Sequence, residues 1–180
     1  MKTMKAYTIP FVGLKVGKHH FDYQIDNAFF LDFEYDEFNA VDVKTQLLFE
    51  KKTTLLELSF EAEGTVNVNC DVTNEPFNLY IKDTFKLVVK FGDDYNNDNE
   101  EILIVPHGEY QINVAQYIYE LIILALPAKK THPGIEDGTL KSEILDKLKE
   151  LSPEMDENIE KTSEDIDPRW NTLKKLLTDK

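Results

Sequence analysis

The residues most suggestive of chemistry are three oxygen-bearing side chains at alternate positions, Asp94, Asn96 and Asp98. Alternating Asp and Asn residues supply the first ligands of an EF-hand calcium loop. The match then fails, because Asn99 stands where that loop needs glycine and Val105 where it needs a bidentate glutamate. We therefore expect weak adventitious calcium binding at most, and no calcium sensor.

Motifs for other kinds of catalysis or cofactor binding are absent from the sequence. It has neither the spaced glycines of a dinucleotide site nor a Gly-Lys-Ser/Thr loop, and no serine stands in a nucleophile-elbow context. The single cysteine, Cys70, falls on the apolar face of a predicted strand and is expected to be an inert core residue. No two histidines have helical metal-ligand spacing, so each is expected to be a solvated loop residue: His19, His20, His107 and His132. We expect no enzyme, no cofactor and no bound metal.

The charge is strongly acidic, with a formal net charge of −14, and it is unevenly distributed. Residues 21–43 carry acids and no base, whereas the first twenty residues carry four lysines and no acid. A second all-acidic run is the candidate partner-binding set: Asp93, Asp94, Asp98, Glu100 and Glu101. Such a field repels phosphate backbones and favours basic partners, although solubility alone is the simpler explanation. The only arginine, Arg169, leaves little capacity for bidentate phosphate or guanine recognition.

Long alternation of apolar and polar residues between Leu56 and Phe91 predicts two strands, each with one buried face. Gly64 falls on the buried face in mid-strand, where a glycine usually indicates a bulge or a sharp bend of the strand. Further predicted strands are Lys5–Phe11, Phe21–Ile25, Val41–Phe49 and, last in the chain, Ile102–Val105, with Asp93–Glu100 as a polar loop. Ala28–Phe33 fits either a strand or a short helical turn.

Helical spacing appears only after these strands. A first helix is expected from a cap at Asn113 to Pro127, where proline ends it. Ala128–Gly138 is expected to be a loop, followed by an amphipathic helix from Leu140 to Leu151. The segment 153–166 looks like an acidic linker, and Asp167-Pro168 would start a short helix carrying Trp170.

These elements predict an α+β fold with a strongly twisted antiparallel β-sheet followed by C-terminal helices. The pattern does not decide whether the sheet closes into a barrel. Residues 1–127 would form the sheet core with its packed helix, and residues 128–180 a helical extension. The longest apolar run is too short to span a bilayer, so we expect a soluble cytoplasmic protein.

The order of several short motifs resembles a known family. A strand ends in Cys70, a short turn follows, and Phe77 begins the next strand. Later come Ile112-Asn113-Val114, Leu124-Ala125-Leu126-Pro127 and Asp167-Pro168-Arg169 before a leucine-rich end. From about Pro10 onward, the chain resembles the large ribosomal RNA subunit accumulation family called YceD. The family motif residues are then Cys70, Phe77, Asn113, Pro127, Asp167, Pro168 and Arg169.

The chain departs from the family pattern at its cysteines. Many members carry a second cysteine three residues after the first, and further cysteines after the Leu-Pro, which could support metal binding. Here Thr73 and the segment Thr131–Gly134 stand at those places. A residual site that joins Cys70 and His132 would offer one thiolate and one imidazole, which do not complete a four-ligand structural zinc site.

The resemblance implies a non-enzymatic accessory role in ribosome biogenesis that supports large-subunit rRNA accumulation. The acidic runs point to a basic ribosomal protein or assembly factor as partner, with any rRNA contact indirect and no membrane partner. One alternative is direct rRNA binding by the lysine-bearing N-terminus and by exposed aromatics such as Tyr7, Tyr95 and Tyr110. Another is an enzyme with an unrecognised carboxylate site.

Overall fold

The computed structural model describes residues 3–151, and the chain divides into two compact units, Met1–Lys141 and Ser142–Lys180. Eight strands belong to the first unit: β1 (Thr8–Ile9), β2 (Gly17–Ile25), β3 (Ala40–Lys51), β4 (Leu55–Asn69), β5 (Pro76–Gly92), β6 (Asn96–Asn99), β7 (Ile102–Pro106) and β8 (Ile112–Asn113). Six of them form one sheet in the order β2-β3-β4-β5-β7-β6, and β1 pairs with β8. The predicted α+β class is confirmed.

The centre of the sheet is an antiparallel meander of β2, β3, β4 and β5. In β3, β4 and β5 alternate side chains face the core and the others face water, whereas β2 is only half-buried except at Ile25. Leu47, Phe60 and Phe85 lie side by side on the apolar face, in register on neighbouring strands. The hairpin predicted from the alternation between Leu56 and Phe91 is confirmed.

The sheet is mixed, which corrects the antiparallel prediction. β7 pairs parallel with β5 and antiparallel with β6, so β7 lies between two strands that precede it in the chain. The segment predicted as a polar loop, Asp93–Glu100, contains β6, whose four residues Asn96–Asn99 are all exposed. The sheet is also open: within residues 3–151, β2 and β6 are its two edges and do not pair with each other, so it is not a closed barrel.

The N-terminal strand prediction is wrong for most of its length. Thr3–Tyr7 is a 3-10 helix, and Phe11–Gly13 is another, leaving only Thr8–Ile9 as strand. The alternation is nevertheless real, because Tyr7, Ile9 and Phe11 are all buried. β8 follows β7, so Ile102–Val105 is not the last strand.

Four α-helices are described: α1 (Asn27–Leu31), α2 (Ala115–Leu124), α3 (Pro133–Glu136) and α4 (Glu143–Leu151). α1 resolves the ambiguity at Ala28–Phe33, because the Asp26 carboxylate accepts the amides of Ala28 and Phe29 and caps a helix. α2 lies against β4 and β5. Within the predicted loop 128–138, Pro133–Glu136 is helical. α4 belongs to the second unit and has the predicted amphipathic spacing.

The core fills the space between the apolar face of the sheet, α1 and α2. Its largest fully buried side chains include Phe30, Phe49 and Phe60. Gly64 pairs with Val43 and Ile81 in registers that run without interruption, so the predicted bulge is absent. A Cβ atom at Gly64 would instead collide with the Asp42 carbonyl oxygen and lie 2.6 Å from the Val43 Cα. Glycine is needed there because β3 and β4 approach closely.

Candidate partner-binding surface

The predicted acidic run lies at one edge of the sheet, around β6. Asp93 and Asp94 occupy the turn after β5, Asp98 belongs to β6, and Glu100 and Glu101 form the turn into β7. All five side chains are exposed. We call these five residues the acidic edge.

Short-range hydrogen bonds shape the acidic edge without neutralising it. The Asn96 amide group donates to an Asp98 carboxylate oxygen at 2.7 Å, and the Asn99 side chain accepts the Glu101 backbone amide at 2.9 Å. In the described part of the chain, no lysine forms an ion pair with any of the five carboxylates. Their negative charges are therefore available to a partner. Nor do the described residues contain three or more His, Cys, Asp or Glu groups placed to hold a metal ion.

A groove of about 560 Å³ opens beside the acidic edge, between β5 and the C-terminal half of α2. Its floor and rim combine apolar and acidic side chains, which we call the acidic groove: Asp83, Phe85, Glu100, Tyr117, Glu120 and Leu124. The rings of Phe85 and Tyr117 are stacked with centroids 6.2 Å apart. Only Glu100 among these was predicted as a site residue. One signal in the sequence could have indicated this groove. Asp83 is an acid at a position of β5 where the alternation calls for an apolar residue.

The turn after β4 joins Cys70 to the segment that follows α2. The Asp71 amide donates to the Lys130 carbonyl at 2.8 Å, and the Lys130 amide donates to the Asp71 carboxylate at 2.6 Å. The His132 amide donates to the Cys70 sulfur at 3.4 Å, and the His132 ring lies edge-on to Phe77. The structure therefore brings together Cys70, Phe77 and His132, which the sequence connected only through the resemblance.

Cys70 is 2% exposed, as predicted for a core residue. Burial raises the pKa of its thiol, but hydrogen bonds from the His132 amide and from Thr73 together outweigh burial, so the pKa lies below its ordinary value. His132 is not the solvated residue that was predicted, because it is half-buried and its Nδ1 atom accepts the Gly134 amide at 2.9 Å. His19 and His20 lie in β2 rather than in a loop.

The remaining family motif residues divide between the described and undescribed parts of the chain. The N-cap residue of α2 is Val114 and not Asn113 as predicted, although the Asn113 side chain still accepts the Ala115 amide at 2.9 Å from the end of β8. Pro127 lies beyond α2, which ends at Leu124. Asp167, Pro168 and Arg169 lie outside the described residues, as do the linker 153–166 and Trp170.

The aromatic residues proposed for RNA contact do not form one surface of the expected kind. Tyr7 is buried, 6% exposed, and stacks on Tyr23 with ring centroids 5.1 Å apart, so its predicted exposure is wrong. Tyr95 and Tyr110 are exposed as predicted. Tyr95, however, lies within the acidic edge, where the neighbouring carboxylates would repel phosphate groups.

Among residues 3–151, no helix is long and apolar enough to cross a membrane.

Comparison with known proteins identifies the family. The model of the family described as large ribosomal RNA subunit accumulation protein YceD matches residues 58–177, more than half of the chain. The match begins within β4 rather than near Pro10 and includes the Cys70 turn, the acidic edge and α2. Searches of curated proteins and of solved structures each found no significant match. The chain therefore belongs to the YceD family of large ribosomal RNA subunit accumulation proteins.

Proposed function

We propose that this protein is a non-enzymatic accessory factor in ribosome biogenesis that supports large-subunit rRNA accumulation by binding a basic ribosomal protein or assembly factor. The family supports the link to the large subunit. The observation that carries the mechanism is the acidic edge, whose five exposed carboxylates have no lysine partner in the described part of the chain. The proposal includes a cytoplasmic location, where bacterial ribosomes assemble.

Two exposed carboxyl groups, Glu63 and Asp137, are poorly suited to act as general acids. A general acid at neutral pH needs a carboxyl group with a raised pKa. The pKa values of Glu63 and Asp137 are both lowered. Hydrogen bonds from Lys82 and Tyr80 lower the Glu63 pKa, and bonds from Thr139 lower that of Asp137. Both groups are therefore held in the ionised form.

The role in assembly is tested by deleting the gene and measuring the ratio of large-subunit to small-subunit rRNA. We expect the ratio to fall and growth to slow, and expression of the wild-type protein to restore both. An unchanged ratio in the deletion strain would refute the assembly role.

The mechanism is tested by neutralising the acidic edge. The test variant replaces each Asp by Asn and each Glu by Gln at residues 93, 94, 98, 100 and 101. Its matched control neutralises five other exposed acids: Glu34, Asp36, Glu143, Asp146 and Glu150. We expect the test variant to associate more slowly than the control with purified basic large-subunit proteins. Added salt should reduce the difference between the two association rates, since the Debye length is about 8 Å at physiological ionic strength and shortens as salt is added. Equal association rates for the two variants would remove the acidic edge from the mechanism.

A further inference from the structure

The acidic groove combines an apolar floor with three carboxylates and no cation. Phe85 and Tyr117 form the floor, and Asp83, Glu100 and Glu120 provide the charges. No lysine or arginine belongs to its lining. Because Glu100 also belongs to the acidic edge, the groove and the edge form one continuous acidic surface.

Asp83 is placed where the strand pattern calls for an apolar residue. It lies between Ile81 and Phe85 on the inward-facing side of β5 and is half-buried. Its neighbour Lys82 faces the other side of the sheet and pairs with Glu61 and Glu63 at 3.2 and 2.8 Å. The Asp83 carboxylate accepts the Thr84 backbone amide at 2.8 Å and forms no ion pair with a lysine of the described residues, so it is available to pair with a cation from a partner.

Two further side chains supply apolar surface to the groove. Tyr117 is 8% exposed, and its ring stacks on that of Phe85. Leu124, the last residue of α2, is 77% exposed at the rim of the groove. An occupant should therefore supply an apolar side chain as well as a cation.

We propose that the acidic groove binds a segment of a partner protein in which lysine or arginine residues flank a large apolar side chain. The apolar side chain would cover Leu124 and the Tyr117 ring, and the cations would pair with Asp83 and Glu120. Nucleic acid is disfavoured as occupant, because its phosphates would meet three carboxylates. This inference rests on the proposed function and adds to it the surface and the chemistry of the partner segment.

The test uses full-length protein and two short fluorescein-labelled peptides of equal positive charge. One peptide carries leucines and lysines at helical spacing, and the other has serine in place of every leucine. We expect fluorescence anisotropy to show tighter binding of the leucine peptide. Leu124→Ala should weaken its binding at least about fivefold, because the leucine contact is lost. Leu31→Ala is the matched control, because Leu31 is an exposed leucine at the end of α1, outside the groove.

The charges are tested by a second pair of variants. The double change Asp83→Asn and Glu120→Gln keeps the acceptor atoms used by Thr84 and Gln116 and should weaken binding at least about fivefold. The control, Glu34→Gln with Asp36→Asn, removes the same charge outside the groove and should have little effect. Equal weakening by the two doubles would mean that net charge alone binds the peptide, and would overturn the proposal.

Other occupants would give different results. A labelled single-stranded RNA whose binding depends on Leu124 and Asp83, or a wild-type dimer that Leu124→Ala dissociates in sedimentation, would each overturn the proposal. Complementation of the deletion strain separates this proposal from the assembly role. If the Asp83→Asn, Glu120→Gln protein restores the rRNA ratio fully, the groove proposal fails and the assembly role stands. If deletion leaves the ratio unchanged while the peptide still binds through the groove, the assembly role fails and the groove proposal stands.

Discussion

Replacing Gly64 by alanine tests the close approach of β3 and β4. The added Cβ atom would lie 2.6 Å from the Val43 Cα and 3.1 Å from the Asp42 carbonyl carbon, and closer still to the Asp42 oxygen. An ordinary contact for such an atom is 3.4–4 Å. The obstructing atoms are backbone, and β3 is held by hydrogen bonds to β2 on its other side. The strand cannot move away without straining its pairing on both sides.

The expected cost follows from two opposing effects. Overpacking of this kind costs up to about 3 kcal/mol, and removing the backbone freedom of a strand glycine returns up to about 1 kcal/mol. The net loss should be about 2 kcal/mol, which lowers the thermal midpoint of a chain this long by about 4–8 °C. Thermal unfolding followed by far-ultraviolet circular dichroism measures the midpoint.

Substitutions at two other glycines provide midpoints with which the Gly64→Ala midpoint can be compared. Gly108→Ala has no atom within 4 Å of its new Cβ, so it carries no overpacking cost and should leave the midpoint unchanged or slightly raised. Gly92→Ala meets the Ile104 Cγ2 atom at 2.7 Å, which is the end of a side chain and can move, so its effect should be intermediate. Equal midpoints for Gly64→Ala and Gly108→Ala would show that β3 and β4 are farther apart than described, and would refute the reasoning.

Three further substitutions test separate features of the fold. Thr45→Val should raise the free energy of unfolding in urea by about 1 kcal/mol, since the buried Thr45 hydroxyl has no hydrogen-bond partner among the described residues; a lower value would reveal a buried partner such as water. Asp26→Ala should lower that free energy by about 1 kcal/mol by removing the cap of α1, and an unchanged urea midpoint would contradict the cap. Thr73→Val should raise the pKa of Cys70, measured from thiolate absorbance, whereas an unchanged pKa would show that the hydroxyl does not reach the sulfur. Because the folded Cys70 pKa is lowered, its ionisation stabilises the folded state above the unfolded thiol's ordinary pKa of 9.0, and this contribution should be lost as the pH falls through the folded value.

The central hairpin could be predicted because each of its strands separates apolar from polar side chains. β6 could not, since Asn96–Asn99 has no apolar residue and is held by backbone pairing with β7 and by local hydrogen bonds of its Asn side chains. The parallel pairing of β5 with β7 was also beyond prediction. Alternation reveals which face of a strand is buried, but it carries no information about which strand lies alongside.

The candidate site, like the fold, could be predicted from the sequence only in part. The exposure of the acidic edge followed from a run of acids and asparagines in which Tyr95 is the only hydrophobic residue. The groove did not follow, because it depends on α2 crossing β5 so that Tyr117 stacks on Phe85. One residue held a usable clue: Asp83 breaks the apolar alternation of β5, and an acid in such a position needs either an internal partner or an external one.

The position of β6 at the edge of the sheet has a consequence for local stability. β6 has four residues, all of them exposed, and β7 is its only neighbour among the described strands. By contrast, β4 has fifteen residues and pairs with a strand on each side. Because segments with few buried contacts open at low free energy, native-state hydrogen exchange should show the β6 amides opening before those of β4. The acidic edge would thus be carried by a part of the sheet that opens more easily than its centre, and a partner that binds there would hold this edge in place.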